Sequence, residues 1–148
     1  MAHRIAVREE ELQARIDELE GARRLLERQG RRLAAIARTD ALTGLSNRRH
    51  FFEHLDAELE RGPEAIALLL VDIDYFKSIN DRYGHQAGDE ILKAFGLALR
   101  RSIRRSDLAA RVGGEEFAIL LPGAERSDAE RVAGSILASV RSLRVPVG

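Results

Sequence analysis

The sequence predicts an α+β domain, a split βαβ-type sheet with flanking helices, preceded by a long helix of coiled-coil texture. Three observations carry this reading. Ile5, Leu12, Leu19, Leu26 and Leu33 recur every seven residues along a proline-free N-terminal stretch. Residues 65–73 are almost wholly apolar and run into Asp72 and Asp74. Two further apolar segments, 108–112 and 117–121, flank Gly113-Gly114-Glu115-Glu116, which is the signature of a hairpin.

The N-terminal stretch, residues 1–39, reads as a dimerising stalk. Its leucine row keeps a strict spacing of seven, whereas a helix packed on its own domain would drift toward 3.6. The companion row is poor: Glu9, Ile16, Arg23, Gly30 and Ala37. Gly21 and Gly30 each cost roughly 1 kcal/mol against alanine in a helix interior. The expectation is a weak, parallel, two-stranded coiled coil. A single amphipathic helix packed on its own domain is the alternative.

From Asp40 to residue 148 the texture changes to mixed helix and strand. Residues 46–60 predict a helix with Phe52, Leu55 and Leu59 on one face, Ser46 or Asn47 as cap, and Gly62-Pro63 as stop. Residues 65–73 predict a central strand buried on both faces. Residues 88–105 predict a helix with Ile91, Leu92, Phe95, Leu99 and Ile103 inward. Ser127-Asp128-Ala129-Glu130 reads as a capping box. The helix it opens carries Val132, Ala133, Ile136, Val140 and Leu143 on its apolar stripe. Another strand is expected next, but the sequence runs Val145-Pro146-Val147-Gly148.

Composition narrows the function classes. Among 148 residues, 24 Lys plus Arg balance 24 Asp plus Glu, which argues against nucleic-acid binding through bulk positive charge. The absence of cysteine excludes a disulfide framework, a thiolate metal site and a cysteine nucleophile, and suits a cytoplasmic protein. The longest strictly apolar run is seven residues, 65–71, against the ~20 needed to span a bilayer. No signal-peptide core is found at the N-terminus.

Chemistry-bearing residues gather at one predicted strand end and one hairpin. If the hairpin lies beside the strand ending at Asp72, then Asp72 and Glu115 come together. Two carboxylates with a main-chain carbonyl suit Mg²⁺, a hard cation that usually keeps phosphate as a partner. Gly113 and Gly114 lack Cβ atoms, so phosphate can approach their amides closely. Lys77 can neutralise phosphate charge. Each feature has a plainer reading. Asp72 and Asp74 could cap the next turn, Gly-Gly could answer only to positive φ, and Asn80-Asp81 could be a turn. Asp89 could cap a helix beginning at Gly88.

Four ordered motifs resemble the GGDEF domains, the diguanylate cyclases. Residues 40–49, DALTGLSNRR, are similar to the DxLTGLxNRR opening of that family. Residues 72–81, DIDYFKSIND, resemble its DxDxFKxIND stretch, and residues 83–89 its GHxxGD segment. Residues 113–117, GGEEF, match the GG(D/E)EF motif. The resemblance implies a palm-like, nucleotidyl-cyclase-like fold. It also implies condensation of two GTP molecules into cyclic di-GMP and two pyrophosphates, with one GTP on each of two facing protomers of a homodimer.

Residue by residue, the resemblance implies that Asp72, Glu115 and the Ile73 carbonyl ligate two divalent metals, Mg²⁺ or Mn²⁺. Glu116 belongs to the same carboxylate cluster. Gly113 and Gly114 would admit phosphates, and Lys77 would stabilise charge during transfer. Asn80 and Asp89 would read the guanine edge, with His85 beside the nucleotide. Arg104-Arg105-Ser106-Asp107 fits the RxxD inhibitory motif, six residues from Asp107 to Gly113, which implies a cyclic di-GMP site on Arg104 and Asp107. The plainer alternative is a basic helix C-terminus formed by Arg100, Arg101, Arg104 and Arg105.

The family pattern continues with a VSxGVA-like strand and an ADxALYxAK-like helix, and neither occurs in this sequence. The expectation is therefore a C-terminally incomplete domain, with an exposed edge on strand 65–73 and poor turnover, unless something else covers that edge. An upstream sensor acting through the stalk is expected to lie outside this chain. The competing function is a non-catalytic module that binds cyclic di-GMP through Arg104 and Asp107, or serves as an interaction domain. The intact Glu115 and Glu116 favour the enzyme.

Overall fold

A computed structural model describes residues 2–146, and the chain divides into two compact units, Met1–Ala37 and Arg38–Gly148. The first unit is a single helix, α1, Ala2–Ile36. Its heptad residues Leu12, Leu19, Leu26 and Leu33, with Ile16, are all exposed. The side chain of Ile5 lies outside the described residues. Exposed pairs, Arg24 to Glu20 at 3.8 Å and Arg23 to Glu27 at 3.7 Å, line the helix surface. Such i,i+4 pairs contribute only ~0.3–0.5 kcal/mol each.

The second unit is a four-stranded mixed sheet with helices on both faces. Its elements are β1 (Ser46–Asn47), α2 (Arg48–Glu60), β2 (Ile66–Asp72), α3 (Phe76–Tyr83), α4 (His85–Ser102), β3 (Leu108–Arg111), β4 (Glu116–Pro122) and α5 (Arg126–Arg141). The order across the sheet is β1-β3-β4-β2. β1 runs parallel to β3, and β4 lies antiparallel to both β3 and β2. This is the α+β sheet with flanking helices that the sequence predicts.

β4 is the true central strand. Phe117, Ile119 and Leu121 face α4 and α5, where Leu92, Phe95, Leu99, Val132 and Ile136 complete the larger core. Ala118 and Leu120 face the opposite way, onto Phe51 of α2 and Ala110 of β3. The ring of Phe95 meets Phe117 with centroids 4.7 Å apart. Being buried on both faces, β4 reads as a continuous apolar run.

β2 corrects the expectation of a central, doubly buried strand. It lies at the sheet edge, and Leu68 and Leu70 are 46% and 74% exposed while Leu69 and Val71 pack inward. An unbroken apolar run cannot distinguish a covered face from an uncovered one, because period-2 geometry sends alternate residues to opposite sides. The exposed edge expected for this strand is present among the described residues.

Local boundaries also differ from expectation. In α2, Phe51 is 1% exposed and Leu55 packs beside it, while Phe52 and Leu59 turn outward. Asn47 is the N-cap, with its Oδ1 accepting from the His50 N–H at 2.9 Å. The α5 capping box is formed by Glu125 and Asp128, two residues ahead of the Ser127-Asp128-Ala129-Glu130 reading. α4 begins at His85 and ends at Ser102, so Asp89 is no cap and Arg104 and Arg105 lie beyond the helix end. Residues Asn80 and Asp81 belong to α3 and not to a turn.

Candidate functional site

The pairing of β2 with β4 brings one end of each to the same place. Asp72 stands opposite Glu116 in register. Past the strand end, the Ile73 N–H donates to the Glu115 carbonyl at 3.3 Å. The hairpin closes when the N–H groups of Val112 and Gly113 donate to the Glu116 carbonyl at 2.9 and 3.2 Å. Asp72, Ile73, Gly113, Gly114, Glu115 and Glu116 therefore form one locus.

Neither hairpin glycine has positive φ, so the turn does not require glycine for backbone handedness. The reason at Gly113 is a close approach. A Cβ there would lie 2.3 Å from Glu116 Oε2, because the Glu116 carboxylate packs over that position. Gly114 differs, since a Cβ there would meet nothing within 4 Å. Its α-carbon faces open space where a ligand can approach the main chain.

The carboxylates at this locus are uncommitted. Among the described residues, no side-chain hydrogen bond or ion pair engages Asp72, Asp74, Lys77 or Glu115. Neither aspartate caps α3, whose N-cap is Tyr75 without any side-chain cap bond. No group of three or more His, Cys, Asp and Glu converges among the described residues. Asp72 and Glu115 are hard oxygen donors, the kind Mg²⁺ takes, one or two carboxylates being commonly completed by phosphate and water.

The connection after β2 is tightly built. Tyr75 is the one non-glycine residue with positive φ among those described (φ 60°), and its ring is exposed. Single residues in this region store ~1–3 kcal/mol, a feature that clusters at functional sites. Phe76 anchors α3 in the core, which sets exposed Lys77 beside the strand end in sequence. Gly84 separates α3 from α4 with φ 85°, and its N–H donates to the Asn80 carbonyl at 2.8 Å. Asn80 packs against Gly88, where a Cβ would lie 1.9 Å from Asn80 Oδ1. That oxygen is buried and is the one such side-chain atom without a partner among the described residues. His85 and Asp89 lie exposed on the first turns of α4.

Arg104 and Asp107 lie at the other end of β3, away from the hairpin. The Asp107 carboxylate accepts the Arg104 main-chain N–H at 2.8 Å, and the Asp107 N–H donates to the Arg104 carbonyl at 3.1 Å. This closed turn leaves the exposed Arg104 side chain outside any helix end. Both residues line a pocket of about 450 Å³ with Thr39, Gly44, Ser46 and Arg100. Arg100 donates to the Gly44 carbonyl, so the pocket has a wall made by the turn after residue 38.

Sequence reasoning missed three residues that hold the hairpin. Arg48 Nη1 donates to the Val112 carbonyl at 3.2 Å. Arg111 donates to the Gly114 carbonyl, and its Nη1 reaches Asp40 Oδ1 at 3.5 Å. Burial raises the Asp40 carboxyl, but hydrogen bonds from Thr43 and the Arg111 charge outweigh it and leave it below its usual 3.8. Asp40 and Arg48 stood within the first motif, and Arg111 stands two residues before Gly113, but nothing in their spacing reveals that they meet.

A four-stranded mixed sheet with flanking helices, with Asp72 and the GGEEF hairpin gathered at one end of β2 and β4, is the architecture of palm-like cyclase domains. The chain belongs to the GGDEF family: residues 37–148 match the family model described as "Diguanylate cyclase, GGDEF domain". The diguanylate cyclase TpbB of Pseudomonas aeruginosa is 43% identical over 137 residues, covering 90% of this chain and 32% of TpbB. Response regulator PleD of Caulobacter vibrioides is 46% identical over 104 residues, 68% of this chain and 23% of PleD. The chain thus spans about a third or less of the length of these curated relatives. Among solved structures, diguanylate cyclase SiaD of P. aeruginosa, in complex with its activator SiaC, superimposes with a TM-score of 0.73 at 36% identity. That match covers 94% of this chain and 57% of SiaD.

Proposed function

We propose that this chain is the catalytic module of a diguanylate cyclase, which condenses two GTP molecules into cyclic di-GMP and two pyrophosphates. The observation that carries the reading is the meeting of the β2 end with the GGEEF hairpin, where Asp72 and Glu115 remain uncommitted beside an open Gly114. Family membership supports it, as do relatives named diguanylate cyclases. A solved relative, DgcB of Caulobacter crescentus, is described with its coiled coil, its GGDEF domain and bound c-di-GMP.

In this reading each protomer holds one GTP. The 3′-hydroxyl oxygen of one nucleotide bonds to the α-phosphorus of the other, the α–β bridging bond breaks, pyrophosphate leaves, and the hydroxyl proton is lost. A second, symmetric transfer closes the ring. Asp72, Glu115 and the Ile73 carbonyl would hold the divalent cations, two per site, as Mg²⁺ or Mn²⁺. Bound there, such cations supply polarisation of the α-phosphoryl and a more acidic hydroxyl. Lys77 offsets phosphate charge, and the open main chain at Gly114 admits the phosphates, whereas the Gly113 expected to do so is covered by the Glu116 carboxylate. Glu116 adds negative charge beside Gly113.

Asn80 and Asp89 read the guanine edge, with Asp89 accepting from N1–H and the 2-amino group, a donor pair that adenine lacks. A ligand donor reaching Asn80 Oδ1 would satisfy an atom that otherwise costs about 1–3 kcal/mol when buried alone. His85 stands beside the nucleotide. The α1 heptad row, exposed in a single chain, suits a two-stranded coiled coil that brings the GGDEF domains face to face. Arg104 and Asp107 form the inhibitory cyclic di-GMP site. An upstream sensor would act through α1, and the setting would be the cytoplasm. No helix among the described residues is long and apolar enough to cross a membrane.

The test pairs turnover with binding. Protein incubated with GTP and Mg²⁺ should yield cyclic di-GMP and pyrophosphate in a ratio of one to two, and Glu115→Gln should yield none. Should turnover be slow, the binding of a non-hydrolysable GTP analogue remains measurable. If GTP is neither bound nor converted while cyclic di-GMP binds and Arg104→Ala abolishes that binding, the receptor reading replaces the enzyme.

A further inference from the structure

Besides the main-chain bond from the Ile73 N–H to the Glu115 carbonyl, one side chain holds the apex of the hairpin. Arg111 ends β3 and is mostly shielded, with 18% of its side chain exposed. Its guanidinium donates twice to the Gly114 carbonyl, from Nε at 3.1 Å and from Nη2 at 2.7 Å. Nη1 reaches Asp40 Oδ1 at 3.5 Å. Asp40 is itself fixed: Oδ1 accepts the Thr43 N–H at 2.9 Å and the Thr43 hydroxyl at 2.7 Å. The Asp40 main chain is tied too, with its N–H donating to Leu45 at 2.7 Å and its carbonyl accepting from Gly44 at 2.8 Å.

A tip containing two glycines is entropically loose unless something holds it. Arg48 grips only the shoulder, at Val112. Among the described residues, Arg111 alone holds the Gly114 carbonyl, one peptide from Glu115. The planar fork of arginine makes two bonds to one carbonyl while keeping a third nitrogen for Asp40, and a lysine ammonium cannot copy that geometry.

We propose that Arg111, buttressed by Asp40, is a positioning residue that fixes the GGEEF hairpin so that Glu115 is presented to a divalent cation. This rests on the reading of Glu115 as a metal ligand. Outer partners that orient metal ligands typically change metal affinity by about 10–100-fold when lost.

The experiment is a Mn²⁺ titration followed by electron paramagnetic resonance, with a non-hydrolysable GTP analogue present and the full chain in each case. Wild type is compared with Arg111→Lys, Arg111→Ala, Asp40→Asn and Glu115→Gln, alongside thermal melts and amide exchange at residues 114–116. The expected result is Mn²⁺ affinity about tenfold weaker in Arg111→Lys, a smaller loss in Asp40→Asn, and faster exchange at the hairpin tip, with the melting temperature of Arg111→Lys nearly unchanged. Should Arg111→Ala fail to fold, Arg111→Lys carries the test. Wild-type Mn²⁺ affinity in Arg111→Lys, together with its loss in Glu115→Gln, overturns the inference and leaves the metal site standing. Wild-type affinity in Glu115→Gln as well overturns the metal-site reading itself.

Discussion

The Ile73 N–H donates to the Glu115 carbonyl at 3.3 Å, one step past the Asp72–Glu116 pair that ends the β2–β4 ladder. This single bond joins the exposed end of an edge strand to the apex of a hairpin. It extends by one step the β2–β4 ladder that brings two motifs beginning 41 residues apart to one locus.

Asp72 and Glu115 have no protein partners among the described residues, so removing their charge should cost the fold little. Asp72→Asn and Glu115→Gln should each change stability by no more than about 0.5 kcal/mol. Wild type should gain ~2.7 kcal/mol from GTP analogue and Mg²⁺ at one hundred times Kd, a gain both variants lose. Thermal melts with and without ligand check this.

Gly88→Ala should be destabilising, because the new methyl would sit 1.9 Å from Asn80 Oδ1. Overpacking of this kind costs typically 1–3 kcal/mol. Displacement of Asn80 should also reduce discrimination between GTP and ATP, measured as the ratio of their binding constants.

Asp107→Ala should open the turn at Arg104 by removing the acceptor of its N–H. A loss of about 1 kcal/mol in stability is expected from one such hydrogen bond. Cyclic di-GMP affinity should fall with it. Asp107→Asn keeps an acceptor oxygen, and its melting temperature should stay close to wild type.

Acid should loosen the turn at Asp40. Its folded-state carboxyl lies below 3.8, so the folded chain holds that proton less tightly than the unfolded chain. The stability this contributes is full above the unfolded value and is lost as pH falls through the lower, folded one. Thr43→Ala removes the hydroxyl donor and should shrink the difference in acid sensitivity between wild type and Asp40→Asn. Chemical denaturation between pH 5 and about pH 3 reads it out.

Leu70→Thr tests the edge. Leu70 is 74% exposed, so the change should alter stability by no more than about 0.5 kcal/mol. Self-association, followed by light scattering, should decrease because an apolar free edge is a template for further pairing.

The order of the main elements was legible because β4, α4 and α5 carry strong periodic patterns. Phe117, Ile119, Leu121, Leu92, Phe95, Leu99, Val132 and Ile136 all face the core that those patterns indicate. Which strand lies centrally was not legible, since Leu68 and Leu70 are as apolar as residues that are covered. The short α3 leaves no clear mark in the sequence, because its N-cap, Tyr75, makes no side-chain cap bond and its eight residues span only about two turns. The carboxylate locus followed from placing a hairpin beside a strand. The Asp40–Arg111–Gly114 chain did not, because a contact spanning 71 residues leaves no periodic trace.

In the proposed function, the β2 end and the GGEEF hairpin form a metal-dependent guanine-nucleotide site. The most direct measurement is calorimetric titration of a non-hydrolysable GTP analogue with and without Mg²⁺, into wild type and the Asp72→Asn, Glu115→Gln double variant. Binding should tighten at least about tenfold with Mg²⁺ in wild type and lose its Mg²⁺ dependence in the double variant. Equal Mg²⁺-dependent binding in both proteins would contradict the claim.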